Sequence, residues 1–133
     1  MNSKVNKVVN VATKHLGAPY ERNAWLRDAP KVFNCSTFTR YVFRQVGIRL
    51  PPKAIKQAVF GRSVNPKRIM PADLIFIRGT SGFYDPSFPN GIGHVGIYVG
   101  DGIVISARNR GVTKESVSIF LKSDQYRVIR RII

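Results

Sequence analysis

Val5, Val8, Val9, Ala12 and Leu16 recur at the spacing of one helical face, with Ser3 ahead of them as a cap and Gly17 and Pro19 behind them as a stop. A second stripe, Phe38, Tyr41, Val42, Gln45 and Val46, predicts a helix that Gly47 ends, and Cys35 falls in its first turn on the apolar side. Pro51 and Pro52 forbid helix, and Ala54, Ile55, Ala58 and Val59 then predict two short turns carrying Gln57 and closed by Gly61. From Leu74 the period changes. Leu74 to Ile77 is a short apolar run of the kind a buried strand shows, with Asp73 making the turn into it. His94 to Val99 and Ile103 to Ala107, joined by Gly100-Asp101-Gly102, form a strong hairpin signal. Tyr126 to Ile133 reads as a last strand with Arg127 and Arg131 outward, and Thr80 to Ile92, with two prolines and two glycines, reads as a long functional loop. Helices first and strands after predict an α+β domain, its helices packed on one face of an antiparallel sheet, with 1–133 as a single domain.

The candidate chemistry begins with the one cysteine. At a helix start, unpaired amides and the helix dipole favour a thiolate, so Cys35 is expected to be an anionic nucleophile, labelled fast by iodoacetamide, with Asn34 or Ser36 as the cap. A lone cysteine is more often a small buried apolar side chain. His94, at the first position of a strand between Gly93 and Gly96, shifts that balance, because a general base need be close to the thiol only in space. His15, in the last turn of the first helix, reads as structural. One Cys and two separated His residues leave no ligand spacing for a metal, and no cofactor is expected.

Charge changes the picture of partners rather than of chemistry. Lys and Arg number 22 against 7 Asp and Glu, a formal net charge of +15, which predicts attraction to polyanions. Neither a basic run nor an aromatic RNA-binding motif is visible, so a generally basic surface is the reading, and charge alone does not choose among nucleic acid, an acidic membrane and acidic wall polymers. No stretch reaches the length of a spanning helix, and no signal peptide is visible.

The segments Leu16-Gly17-Ala18-Pro19-Tyr20, Asn34-Cys35-Ser36, Leu50-Pro51, Gln57, Pro71-Ala72-Asp73-Leu74-Ile75-Phe76 and Gly93-His94-Val95-Gly96-Ile97-Tyr98-Val99-Gly100-Asp101-Gly102 together resemble the NlpC/P60 cysteine peptidases. The resemblance implies a papain-like fold and hydrolysis of peptide bonds in bacterial peptidoglycan stems, next to a D-glutamyl residue, in a secreted or cell-envelope setting. It implies Cys35 as nucleophile, His94 as base and Tyr20 near the oxyanion site, where amides of the Cys35 helix, including that of Ser36, would add donors. The chain departs from the family's Asp-Cys-Ser-Gly with Asn34-Cys35-Ser36-Thr37, and from its Ile-His-Ala with Ile105-Ser106-Ala107. Strand register decides the third polar group. A three-residue loop at Gly100-Asp101-Gly102 sets Arg108 opposite His94 and Ser106 one diagonal step away; a two-residue turn flips Ser106 to the other face and favours Asn109. Arg108 is a candidate clamp for a substrate carboxylate. Two functions stay open: a peptidoglycan peptidase, and a wall-binding or toxin-like module of the same fold with weakened chemistry; Cys-dependent acyl or amide hydrolysis on another substrate is a variant of the first. A delivered effector would bring an inhibitor or immunity protein as partner.

Overall fold

The computed structural model describes residues 2–79, 83–122 and 124–133. Helix α1, Ser3–Lys14, starts one residue earlier than expected, because the side-chain oxygen of Asn2 accepts from the amides of Lys4 and Val5. It buries Val8 and Ala12. Helix α2, Cys35–Arg44, buries Phe38, Val42 and Phe43, and α3, Ala54–Gln57, is one short turn. The strands are β1 (Arg62–Ser63), β2 (Leu74–Ile77), β3 (Phe83–Asp85), β4 (Phe88–Ile92), β5 (His94–Gly100), β6 (Ile103–Arg108), β7 (Gly111–Ser116) and, after helix α4 (Val117–Leu121), β8 (Tyr126–Arg131).

Six strands form one antiparallel sheet in the order β1-β8-β2-β5-β6-β7. The α+β class is the one expected, but helices cover both faces. Phe38, Val42 and Phe43 pack with Phe76, Val95, Ile97 and Ile105 on the α2 side. On the other side Phe120 of α4 packs with Ile75, Ile77, Val104 and Ile129. A strand covered on both faces buries every residue, which is why Leu74 to Ile77 reads as a continuous apolar run rather than as an alternation.

Three expectations are corrected. From Phe83 to Ile92 the long loop is a two-stranded hairpin of β3 and β4, its turn held by Asp85 Oδ1, which accepts from the amides of Ser87 and Phe88; Thr80 to Gly82 lie outside the described residues. Pro89 masked it, yet proline is tolerated in a strand with no partner on one edge. Arg131 does not point outward to solvent: its guanidinium donates from Nε and Nη2 to the buried carboxylate of Asp73 at 2.9 and 2.8 Å. Arg127 likewise turns back, donating to the carbonyls of Gly91 and Asn90.

The β5–β6 connection answers the register question in a way neither alternative foresaw. The turn residues are Asp101 and Gly102, both at positive φ (53° and 76°), as a two-residue hairpin turn requires. The Tyr98 hydroxyl accepts from the Gly102 amide at 3.1 Å. A register shift between Tyr98 and Gly100 then puts one extra residue in β5, so that Ile97 faces Ile105 as it would across a three-residue loop. Carried along the ladder, this sets Ser106 opposite Gly96 and Arg108 opposite His94, all on the α4 face.

Candidate active site

The first turn of α2 is fixed from two sides. Asn34 Oδ1 accepts from the Thr37 amide (2.9 Å) while Thr37 Oγ1 accepts from the Asn34 amide (2.9 Å), a reciprocal cap. The Asn34 amide group also donates to the carbonyls of Arg22 and Ala24, tying the segment before the helix to its start. Behind the turn, the fully buried Gln57 donates to the carbonyls of Ser36 (3.2 Å) and Pro51 (3.0 Å) and accepts from Thr39 Oγ1 (2.7 Å). Sequence reasoning placed Gln57 on its element but missed this role; a glutamine among Ala54, Ile55 and Ala58 was the available signal, since a polar group on a buried face must find partners.

Cys35 opens α2 and lies 3.7 Å from the carbonyl oxygen of Gly93, to which its thiol donates. The residue keeps an accessible edge, yet the surrounding protein desolvates the sulfur and pushes the thiol up from its ordinary value. The amides of Val95, Ser36 and Cys35 and the charge of Arg108 pull the other way without prevailing. Burial therefore opposes the resting thiolate that the helix start is expected to favour.

His94 begins β5 and is buried, its Nε2 3.1 Å from the Oγ of fully buried Ser106. That contact engages Nε2 and not Nδ1. Burial, with a smaller push from the Arg108 cation, takes the imidazole from 6.5 down to about 3. Burial thus disfavours the charged form of both side chains. Among the described residues no direct hydrogen bond joins Cys35 and His94, a looseness common in unliganded sites that tighten around substrate. The Phe120 ring lies against the imidazole (centroids 6.0 Å apart), and the Arg108 guanidinium stacks on the same ring at 5.3 Å. Arg108 Nε is paired with Glu115 at 2.5 Å. Neither Phe120 nor Glu115 was marked by the sequence, because both arrive through tertiary packing of β7 and α4.

Cys35, His94 and Arg108 open together on one cleft of about 970 Å³, which Tyr20, Ser36 and Asn109 also line. Tyr20 is held beside Phe33 by a backbone bridge, and burial raises its phenol, helped by the nearby Cys35. Ser36 Oγ is committed to the cap, donating to Asn34 Oδ1 at 3.2 Å, so its amide is the group free to act. Asn109 is exposed and does not take the His94 contact, which goes to Ser106. His15 caps α1, its Nδ1 2.8 Å from the Val11 carbonyl and its ring edge-on to Tyr41. Among the described residues no three His, Cys, Asp or Glu are grouped as a metal site would need.

A model of the NlpC/P60 family matches residues 17–131. The chain is 37% identical over 106 residues to the probable endopeptidase p60 of Listeria grayi, covering 80% of this chain and 18% of that protein. It is 35% identical over 120 residues to the gamma-DL-glutamyl hydrolase of Bacillus subtilis, covering 90% and 26% respectively. The chain therefore spans only about a fifth to a quarter of these relatives. Among solved structures it is similar to the peptidoglycan hydrolase RipB of Mycobacterium tuberculosis, with 28% identity and a TM-score of 0.76 over 98% of this chain and 65% of that one. On this evidence the chain belongs to the NlpC/P60 family.

Proposed function

We propose that the chain is a cysteine peptidase that hydrolyses peptide bonds in peptidoglycan stem peptides, with Cys35 as nucleophile, His94 as general base and Ser106 as the group that orients His94. The observation that carries this reading is the 3.1 Å contact of His94 Nε2 with buried Ser106 at the edge of the cleft onto which Cys35 opens. His94 takes the thiol proton as sulfur adds to the scissile carbonyl carbon. The oxyanion so formed faces the amides at the start of α2 and the Tyr20 hydroxyl. Collapse expels the amine, which receives the proton from the imidazolium and leaves a thioester on Cys35. Water, deprotonated by His94, then adds to the thioester carbonyl and releases the acid and the thiol.

The buried neutral imidazole suits this cycle, since proton transfer is coupled to attack and needs no stable ion pair at rest. For the substrate, the name of the Bacillus subtilis relative supports a bond beside a glutamyl residue. Arg108 is our candidate for holding a substrate carboxylate: it shares the cleft with Cys35 and His94, and Glu115 engages its Nε. Replacing it with Lys should raise KM for a carboxylate-bearing stem peptide and leave an amidated analogue nearly unaffected. Relatives that act on the wall support an envelope location. Mass analysis of purified muropeptides incubated with the protein tests the reading: cleaved stems are expected, whereas intact stems on a protein that still sediments with the wall would favour the binding-module alternative.

A further inference from the structure

A second cavity, of about 260 Å³, is lined by Leu26, Arg40, Arg44, Arg49 and Leu50 and shares no residue with the cleft. Its three arginines come from one short stretch of chain. Arg40 and Arg44 are four residues apart on α2 and so lie on one face, and Arg49 returns to them after the reversal at Gly47, whose φ is 82°. Arg40 is held, its Nε donating to the Leu50 carbonyl at 3.3 Å, while Arg44 and Arg49 are exposed. Among the described residues none of the three has a carboxylate partner.

The helix dipole accounts for Arg44 in the last turn, but not for Arg40 further back or for Arg49 beyond the helix. Like charges gathered around a cavity repel, and a bound anion relieves that repulsion. A carboxylate offers two oxygens and one charge. Inorganic phosphate or a phosphate monoester offers three or more free oxygens and up to two charges, and a polymer of diesters repeats a single charge with two free oxygens, so either can engage several planar guanidinium forks at once. Leu26 and Leu50 add an apolar wall suited to the carbon of an ester.

We propose that this arginine cavity is a binding site for a phosphate group, free or carried as an ester on a polymer. Titration of the full chain, followed by NMR of the arginine Nε–Hε resonances, tests it with three probes: inorganic phosphate, an oligomer of glycerol phosphate, and tetraglutamate. The expected result is saturable movement of the Arg40, Arg44 and Arg49 signals by one or both phosphate probes. Binding by inorganic phosphate alone assigns a small-anion site, and tighter binding of the oligomer assigns a polymer-bound phosphate. Arg44→Gln with Arg49→Gln should weaken phosphate binding by at least about tenfold, since charge-assisted bonds are among the strong ones. Lys4→Gln with Lys7→Gln, which removes equal charge from α1, should leave it within about twofold if the effect is local rather than one of net charge. Movement that does not saturate, equal weakening in both variants, or equal binding of tetraglutamate would overturn the proposal.

Discussion

At position 106 a hydroxyl faces the buried Nε2 of His94, where the family's motif has an imidazole. Its single rotor can donate or accept, so it satisfies either tautomer of the ring. Ser106→Ala should leave that nitrogen unpartnered in a closed interior, at a cost to stability of about 1–3 kcal/mol. The freed ring should lower kcat/KM by at least about tenfold on a stem peptide, each factor of ten corresponding to about 1.4 kcal/mol. Urea unfolding and steady-state kinetics on the same sample check both. His94 also makes an acid-side prediction. Its folded value of about 3 lies below its ordinary 6.5, so the unfolded chain binds the extra proton first. The stability that neutral His94 contributes is therefore fully present above about pH 6.5 and is lost as pH falls towards 3. His94→Gln should flatten that part of the curve of stability against pH between 7 and 4; an unchanged slope would remove His94 as its source.

The positions of the two side chains proposed to react depend on how α2, β5 and β6 are held, and much of that was legible in the chain. Helical spacing revealed α2, and Gly100-Asp101-Gly102 between two apolar runs revealed the hairpin, because local patterns encode local structure. The bulge beside Val99 was not legible, since it exists only as a mismatch between two strands; it decides that Ser106 rather than Asn109 meets His94. The burial that opposes a thiolate was not legible for a related reason: a helix start is visible in sequence, whereas the protein that closes over Cys35 is not. Gly96 shows how tightly the strands fit. A Cβ there would lie 2.4 Å from Val104 Cγ1 and 3.3 Å from Ser106 Cβ. Gly96→Ala should therefore push β6 away, destabilise the fold by about 1–3 kcal/mol as overpacking does, and lower activity through Ser106. A thermal melt beside an activity assay would show this, and full activity with an unchanged melt would contradict it.

For the whole molecule, 22 Lys and Arg against 7 Asp and Glu leave a net charge of +15, and two of those carboxylates, the buried Asp73 and Glu115, are taken by Arg131 and Arg108. Exposed charges are screened beyond about 8 Å at physiological ionic strength, so association with acidic wall material should weaken as salt rises. Sedimentation with sacculi from low to high salt should show falling retention; constant retention would exclude an electrostatic hold. In the proposed cycle, hydrolysis of a stem peptide passes through the sulfur of Cys35. The most direct measurement compares hydrolysis rates of a purified muropeptide by the wild type and by Cys35→Ala at equal folded concentration. A fall of at least about a thousandfold, as loss of a covalent nucleophile causes, is the predicted result, and a variant that retains the wild-type rate within tenfold would contradict it.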